Sequence, residues 1–272
     1  MNSLGTSVYM TIATLLIRYT IIGTVLAAFL GVVLSKLAAE NASEKISIKQ
    51  QQLIERIIRN YVLENPEIIE AAIRKLEQNK RLAALQADEK RVLENVTALY
   101  RDPNTPVLGN PNGDISIVEF VDHGCGVCKR FHPILNELIR TDPGIRLFYK
   151  EWPILGTNSV LASRAAIASR RQGKYKIFLD ALLGSRSPLS GPNVTALAQE
   201  VGINITQLQK DMKSSKVDEI LLKNYRLAER LGLNGTPSLV IEQKLFRGGR
   251  DLQTLRAIVK DLREKKRTNQ HE

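Results

Sequence analysis

Gly124-Cys125-Gly126-Val127-Cys128-Lys129 is the stretch around which the chain is organised. It holds both cysteines of the 272-residue chain, and it lies between an apolar run, Ile115–Val121, and a helix-like segment, Lys129–Arg140. A thiol at a strand-to-helix junction meets unpaired N–H groups and the positive end of the helix dipole, which favour the reactive thiolate. A second thiol one turn later can attack a mixed disulfide formed by the first. The pair therefore predicts a site of thiol–disulfide exchange.

The composition limits the class of protein. The net charge is +11, which raises nucleic acid as a partner. The basic residues are scattered, however, and few aromatic residues lie among them, so we expect no base-stacking surface and no nucleic acid partner. One close cysteine pair is not a disulfide scaffold, and permanent closure would tie only a very small loop. We therefore predict that the two cysteines react or bind a metal.

Residues 1–45 have the features of a targeting segment. Tyr19–Leu34 is uncharged and apolar, and the positive-inside bias would keep the preceding Arg18 in the cytoplasm and export the residues after Leu34. The run is short for a membrane span but long for a signal peptide, and Leu37-Ala38-Ala39-Glu40 is a poor cleavage site. We favour an uncleaved signal anchor over a cleaved signal peptide. Both interpretations place the cysteines in an oxidising compartment.

Residues 46–100 are predicted to form a separate helical stalk. They contain no Gly, and Asn65-Pro66-Glu67 has the pattern of a second helix start. Apolar residues recur at helical spacing: Leu53, Ile54, Ile57, Ile58, Tyr61, Val62, Ile69, Ile73 and Leu76. The other faces are charged, so the apolar face must pack on the next domain, on a membrane or on a second copy. We favour self-association over an accessory hairpin packed on the same chain.

The next residues alternate between strand and helix patterns. Arg101–Asp114 is a linker with one short strand at 106–108, and Ile115–Val121 is a buried strand. The helix after the cysteines is followed by a second strand, Ile145–Lys150. Strand, helix and strand at this spacing predict a parallel pair.

The remainder of the chain is predicted to be mostly helical. Residues 158–231 form successive helices, with Asn193 and Asn204 as N-caps. The elements expected after them are a hairpin of Ser238–Ile241 and Lys244–Phe246, a closing helix at Leu252–Leu262 and a disordered polar tail at 265–272. This order of elements predicts an α/β thioredoxin fold with an inserted helical subdomain, over residues 101–264.

Three stretches carry a resemblance to a known family. VEFVDHGCGVCKRFHP, from Val118, and NGTPSLVI, from Asn234, resemble the DsbA-like thiol:disulfide oxidoreductases of the bacterial cell envelope. VLENPEIIEAAI, from Val62, resembles the N-terminal region of family members of the ScsC and Com1 kind. The first resemblance covers roughly residues 105–264.

The resemblance assigns roles to the central residues. It implies that Cys125 is the nucleophile and Cys128 the resolving thiol, and we expect Cys125 to be the more exposed. It also implies that the Thr236-Pro237 peptide bond is cis and holds substrate backbone, with the Thr236 hydroxyl toward the disulfide. Strongly oxidising relatives often carry Pro-His or Pro-Tyr between the cysteines, whereas this chain has Gly126-Val127. We therefore expect a less oxidising couple.

Glu119 is a lone charged residue inside an apolar strand, where burial is costly unless the charge is paired. Similar proteins carry a buried acid at this spacing that relays protons to the resolving thiol. We expect burial to raise the pKa of Glu119 and predict Lys150, at the end of the neighbouring strand, as its partner. The alternative is an outward-facing Glu on an edge strand.

His123 and His132 flank the cysteine pair, and the four residues together have the composition of a two-Cys, two-His zinc set. The exposed, reactive geometry expected of this fold argues against closed tetrahedral zinc, so we predict no metal site and no cofactor. Transient copper(I) binding by the two thiolates is more credible. We expect His123 to face solvent beside the site and to contact substrate.

These features predict a periplasmic thiol:disulfide oxidoreductase, tethered to the inner membrane or soluble after signal cleavage. Its expected partners are exported proteins with cysteines, a membrane redox partner and further copies of itself, bound through residues 46–100. Isomerase or reductase activity is favoured over oxidase activity because of Thr236, the Gly126-Val127 dipeptide and the expected oligomer. The alternatives are a monomeric DsbA-type oxidase and a copper(I)-binding metal-stress protein.

Overall fold

The computed structural model describes residues 28–34, which are helical, and residues 47–268. Among these residues, no helix is long and apolar enough to cross a membrane. Most of the predicted anchor, Tyr19–Leu34, and the whole of the weak cleavage site lie outside the described residues. The chain divides into two units between Leu76 and Glu77.

The first unit is helical from Ser47 onward. Ser47 and Gln50 form a reciprocal capping box that begins helix α1, Ile48–Glu64. Helix α2, Glu67–Glu94, begins directly after Pro66, as predicted. Helix α1 buries none of its residues within the described chain. The apolar face of this unit is exposed at Leu53, Ile54, Ile57, Ile58, Tyr61, Ile69, Ile73 and Leu76.

The C-terminal part of α2 belongs to the second unit, so the predicted stalk of residues 46–100 is not one separate piece. Val92 of α2 and Leu99 of helix α3, Val96–Tyr100, are fully buried in the core of this unit. Asp88 accepts hydrogen bonds of 2.7 and 3.0 Å from Arg247. Val92 and Leu99 therefore anchor the end of α2 and α3 on the domain that holds the cysteines, whereas Leu82, Leu85 and Leu93 stay exposed.

A five-stranded sheet forms the centre of the second unit. The strand order is β1-β3-β2-β4-β5; β2 and β3 are parallel, as predicted, and the other neighbours are antiparallel. The strands are β1 (Val107–Gly109), β2 (Ile115–Val121), β3 (Ile145–Glu151), β4 (Ser238–Ile241) and β5 (Lys244–Arg247). All five follow the sequence-based prediction to within one or two residues.

Helices cover both faces of the sheet. The helix after the cysteines is α4 (Gly126–Thr141), and the inserted helices are α5 (Thr157–Ser169), a 3₁₀ turn (Arg170–Gln172), α6 (Tyr175–Gly184), α7 (Gly191–Glu200), α8 (Ile205–Met212) and α9 (Ser215–Arg230). Asn204 caps α8, as predicted, by accepting a hydrogen bond from Gln207 N at 2.9 Å. The predicted cap Asn193 is wrong, because α7 begins two residues earlier and Asn193 bonds to the Pro188 carbonyl instead.

The closing helix α10, Leu252–Thr268, continues beyond its predicted end. The prediction of a disordered tail from residue 265 is therefore wrong for residues 265–268. Lys265 pairs with Asp261 one turn earlier at 3.2 Å, and Lys266 pairs with Glu242 at 3.1 Å. Basic side chains are also favoured in the last turn of a helix, where they meet the negative end of its dipole.

Alternation along β2 sends neighbouring residues into different cores. Ile117 and Val121 pack on the side that holds the cysteines. Val118 and Phe120 pack on the opposite side, with Phe148 of β3. A residue of β2 or β3 is therefore assigned to one face by its position alone, which decides the surroundings of the buried charged residues.

Candidate active site

Cys125 is the N-cap residue of α4, and both cysteines are free thiols. Its Sγ accepts a hydrogen bond from Cys128 N at 3.4 Å, and the thiol donates to the Thr236 carbonyl at 3.2 Å. Burial raises the pKa of Cys125, but hydrogen bonds from the Thr236 side chain and from the N–H groups of Cys128 and Val127 outweigh it and lower the pKa below its ordinary value. The Cys125 thiolate therefore forms more readily than that of an ordinary cysteine.

Cys128 has the opposite environment. It is fully buried one turn into α4, whereas Cys125 is 7% exposed. Burial raises the pKa of Cys128 well above its ordinary value, and the nearby charge of Glu119 raises it further. The relative exposure of the two thiols thus follows the sequence-based expectation, and the two sulfurs differ strongly in acidity.

The loop before β4 lies against Cys125. The Thr236-Pro237 peptide bond is cis, as predicted. Two hydrogen bonds stabilise this loop: Gly248 N donates to the Pro237 carbonyl at 2.9 Å, and Ser238 Oγ donates to the Gly235 carbonyl at 2.6 Å. Thr236 therefore reaches Cys125 through both its carbonyl and its side chain.

Asp122 organises the loops around the cysteines, and the sequence-based prediction missed it. Its fully buried carboxylate accepts hydrogen bonds from Gly124 N at 2.7 Å, from Ile154 N at 2.7 Å and from Leu155 N at 2.9 Å. An Asp two residues before a Gly at a strand end is a signal for such a turn. The contacts of Asp122 with Ile154 and Leu155 have no such local signal, because these residues are distant from it in sequence.

Glu119 is fully buried on the cysteine side of β2, directly opposite Tyr149 of β3. The alternative of an edge-strand Glu is wrong, because β2 is the central strand. Burial raises the pKa of Glu119 to about 8; the Tyr149 hydroxyl opposes this rise, and the charges of Glu151 and Cys125 add to it. Neither carboxylate oxygen has a well-aligned hydrogen-bond partner among the described residues.

Lys150 is not the partner of Glu119, and that prediction is wrong. It lies opposite Phe120 in the parallel register, so its side chain enters the other face of the sheet. There its Nζ donates to Thr105 Oγ1 and lies 3.5 Å from Asp102 Oδ2. Burial lowers the pKa of Lys150 to about 8 against the opposing effect of Asp102.

His123 is fully buried, so the prediction that it faces solvent and contacts substrate is wrong. Its Nε2 lies 2.8 Å from Glu151 Oε2, and Tyr175 donates to the other oxygen of Glu151 at 2.7 Å. His123 follows the end of β2, so the alternation along the strand does not fix its direction. Its imidazole lies inside the protein because it bonds to Glu151, a buried acid at the end of β3.

His132 likewise bonds to groups other than the cysteines. Its Nε2 is 2.7 Å from Asp180 Oδ1 of α6, and its Nδ1 is 3.4 Å from the Tyr149 hydroxyl. The two histidines thus bond to separate carboxylates and do not join the cysteines in one ligand set. Within residues 28–34 and 47–268, no group of three or more His, Cys, Asp or Glu side chains has the arrangement of a metal site.

Comparison with known proteins places this site in a family. Residues 101–261 match the family described as Thioredoxin, which is more than half of the chain. The chain belongs to the thioredoxin family. Residues 50–89 match the family described as copper resistance protein ScsC N-terminal domain. The identification as a DsbA-like protein of the ScsC kind is therefore confirmed.

Individual relatives agree with this assignment. A thioredoxin-like oxidoreductase from Silicibacter pomeroyi is 43% identical, with a TM-score of 0.61 over 62% of this chain and 97% of the other. Proteus mirabilis ScsC in a transitional conformation is 26% identical, with a TM-score of 0.59 over 81% and 98%. The probable disulfide bond formation protein D of Bacillus anthracis is 26% identical over 58% of this chain and 78% of its own. Residues 101–261 thus form a protein-disulfide oxidoreductase domain.

The chain also matches much longer proteins. The Na(+)/H(+) antiporter NhaA of Herminiimonas arsenicoxydans is 24% identical over 60% of this chain. The chain spans about a quarter of the length of these curated relatives, 26% in that case. The likeness is therefore to one part of the antiporter, and the transport activity in its name belongs to that protein.

Proposed function

We propose that the chain is a periplasmic thiol:disulfide oxidoreductase that exchanges disulfides with exported proteins, with isomerase or reductase activity favoured. The observation that carries the proposal is the asymmetry of the cysteine pair. Cys125 has a lowered pKa beside Thr236, whereas Cys128 has a raised pKa beside Glu119. One sulfur is therefore suited to attack a client, and the other holds its proton until it is needed.

The reaction follows from this asymmetry. The Cys125 thiolate attacks a client disulfide, so a mixed disulfide forms and the client's second sulfur leaves as a thiolate. For reduction, Cys128 loses its proton and attacks Cys125 Sγ, which closes the Cys125–Cys128 disulfide and releases the client sulfur. For isomerisation, another thiolate of the client attacks the client sulfur of the mixed disulfide, which forms a new client disulfide and releases Cys125 as a thiolate, so both enzyme cysteines return to the reduced form.

An exposed apolar surface beside Cys125 supports the choice of unfolded clients. Val127 is 45% exposed, and Ile154 and Leu155 are exposed on the loop that Asp122 holds near the site. Misfolded proteins expose apolar segments that such a surface would bind. Val127 also brings no imidazole or hydroxyl to the Cys125 thiolate, which supports a less oxidising couple than that of a strong oxidase.

The activity test compares the two cysteines. Wild type is expected to reduce insulin and to refold scrambled ribonuclease, and Cys125→Ala is expected to abolish both. Cys128→Ala is the matched control: it keeps the nucleophile, so it should accumulate mixed disulfides with clients that a gel without reductant detects. Full insulin reduction by Cys125→Ala would refute the proposal.

Self-association through the first unit is proposed from its exposed apolar face, which buries nothing within the described chain. Several active sites around one client would favour isomerisation. We expect the full chain to be an oligomer, and the double variant Ile54→Asp, Ile58→Asp to be a monomer that reduces insulin but refolds ribonuclease poorly. Gln52→Asp on the same helix is the control. A monomeric wild type in native mass spectrometry would contradict the proposal and favour a monomeric DsbA-type oxidase.

Membrane tethering by residues 1–45 and a membrane redox partner complete the proposal. The apolar run Tyr19–Leu34 and its weak cleavage site support an uncleaved anchor. Fractionation of cells that express the full chain is expected to recover it with membranes, resistant to extraction by high salt. Recovery of a shortened protein in the soluble periplasmic fraction would show instead that the signal is cleaved.

Copper(I) binding is a second candidate, because residues 50–89 match a family named for copper resistance. That stretch contains no Cys, His or Met, so the ligands that we propose for a soft metal are the thiolates of Cys125 and Cys128. Titration of the reduced protein with copper(I) against a competing chelator tests this. Tight binding by wild type without any refolding of ribonuclease would favour the metal role over exchange.

A further inference from the structure

The structure contains a chain of buried polar side chains that begins at Glu119 and ends at the protein surface. We propose that Tyr149, His132 and Asp180 form a proton relay between Glu119, beneath the cysteine pair, and solvent at α6. The proposal deepens the exchange activity proposed above and rests on it. It assigns a function to three residues that the reaction at the two sulfurs does not itself explain.

The first step of the relay joins Glu119 to Tyr149. The two residues are direct neighbours across the parallel pair β2–β3, and both are buried. The Tyr149 hydroxyl lies close enough to influence the pKa of Glu119, yet its aligned hydrogen bond goes to His132 Nδ1 at 3.4 Å. A small rotation of this hydroxyl therefore switches it between the carboxylate and the imidazole.

The second step joins His132 to the surface. The relay uses the tautomer of His132 in which Nδ1 accepts from Tyr149 and Nε2 donates to Asp180 Oδ1 at 2.7 Å; Asn136 Nδ2 also lies 3.0 Å from this Nε2. The side chain of His132 is 6% exposed, whereas that of Asp180 is 39% exposed and also pairs with Lys176. Partial burial raises the pKa of Asp180, but hydrogen bonds from His132 and Lys176 hold it at about 2, so it stays ionised and accepts.

The proton balance of the relay is complete. When Cys128 attacks the mixed disulfide at Cys125, its S–H proton passes to the Glu119 carboxylate and the client sulfur leaves with the bonding electron pair. Glu119 then gives a proton to the Tyr149 oxygen, while the Tyr149 hydroxyl proton moves to His132 Nδ1. The Nε2 proton of His132 leaves by way of Asp180 to water. The reverse order supplies a proton when the enzyme disulfide is opened.

Other charged groups that face the relay do not lead to solvent by a comparable route. Glu151 of β3 raises the pKa of Glu119, but its two oxygens are engaged by His123 and Tyr175. On α4, Cys125 and Cys128 face Glu119, and Asn136 lies beside His132 and donates to Asp180 at 3.3 Å. Of these neighbours, only Tyr149 connects the Glu119 side of the network with the His132 side.

Two buried tyrosines make a matched experiment. Tyr149→Phe removes the hydroxyl of the relay, whereas Tyr175→Phe removes a hydroxyl that bonds only to Glu151 among the described contacts. The probe is the full chain with Cys125 loaded as a mixed disulfide with glutathione, and the measurement is the rate at which Cys128 releases the glutathione. We expect Tyr149→Phe to slow this step about tenfold, within the range of general acid–base effects, and Tyr175→Phe to slow it much less.

A pH profile and a surface variant separate a relay from a structural role. Asp180 is at the partly exposed end of the relay, so Asp180→Asn should fold. It should slow the release of glutathione by Cys128, with a larger solvent deuterium effect than wild type. Attack by Cys125 on free disulfide should keep its wild-type rate and pH profile in all three variants. If wild type itself releases no glutathione, the exchange proposal fails. If wild type is active but Tyr149→Phe behaves as Tyr175→Phe does, the relay alone is overturned.

Discussion

Glu119 and Lys150 are both buried charged residues on neighbouring central strands, but they lie on opposite faces of one sheet. On the cysteine face, Glu119 has no counterion among the described residues and its pKa is raised to about 8. On the other face, Lys150 bonds to Thr105 and Asp102, and burial lowers its pKa to about 8. One step along the strand separates the group that we propose exchanges a proton with Cys128 from one that bonds to Thr105 and Asp102.

The difference shows that pairing, rather than burial alone, distinguishes the two roles. A buried carboxylate without a counterion gains little from staying ionised, so it takes up a proton near neutral pH. A buried ammonium with a carboxylate and a hydroxyl beside it is held in place and is separated from the cysteines by the sheet itself. Three variants, at Glu119, Val127 and Lys150, should affect disulfide exchange to a decreasing extent, and the first and the last of them test this contrast.

Glu119→Gln should have the largest effect. The amide has the same shape but cannot accept the Cys128 proton, so release of glutathione from a mixed disulfide at Cys125 should slow about 100-fold. The wild-type rate should rise with pH as Glu119 ionises near its pKa of about 8, and the variant should lose this rise. Stopped-flow measurement across pH checks both.

The control for this variant is the first chemical step. Attack of Cys125 on a free disulfide depends on Thr236 and the helix N–H groups, so Glu119→Gln should change its rate by less than about threefold. Equal slowing of both steps would mean that the substitution disturbs the whole site, and it would contradict a specific role at Cys128.

Sequence patterns predicted the sheet, the placement of the cysteines at the start of the helix after β2, the burial of Glu119 and the cis bond before Pro237. These features depend on local apolar runs or on a family motif. The patterns did not predict the partner of Lys150, because that partner depends on the exact register between two strands. A shift of the register by one residue moves a side chain to the other face of the sheet. The inward turn of His123 was missed for a related reason: its partner Glu151 lies beyond the predicted end of β3.

Val127→His should have an intermediate effect. Val127 is exposed beside the N-terminus of α4, so an imidazole there can stabilise the Cys125 thiolate further. We expect a lower pKa for Cys125 and a more oxidising couple, by about 30 mV or tenfold in the equilibrium constant. Equilibration with glutathione, followed by the ultraviolet absorbance of the thiolate, measures both. Val127→Leu is the control, and a wild-type potential as high as that of the strongest envelope oxidases would sink the prediction of a less oxidising pair.

Lys150→Met should have the smallest effect on exchange, less than about twofold, because the sheet separates it from the cysteines. Its effect should appear in stability, since Asp102 and Thr105 lose their partner, at a cost of about 1–3 kcal/mol. Chemical unfolding of the oxidised protein, in which the cysteines do not titrate, measures this cost. A loss of exchange comparable with that of Glu119→Gln would restore Lys150 to the active site.

The pH dependence of the free energy of unfolding distinguishes the two charges. Between pH 4.5 and 8 the folded chain keeps the Glu119 proton that the unfolded chain releases, so stability falls as pH rises, by at most about 1.4 kcal/mol per pH unit. Between pH 8 and 10.5 the folded chain releases the Lys150 proton that the unfolded chain keeps, so stability rises. Glu119→Gln should remove only the fall in stability between pH 4.5 and 8, and Lys150→Met should remove only the rise between pH 8 and 10.5. Loss of both the fall and the rise in one variant would show that the two faces are coupled through the sheet.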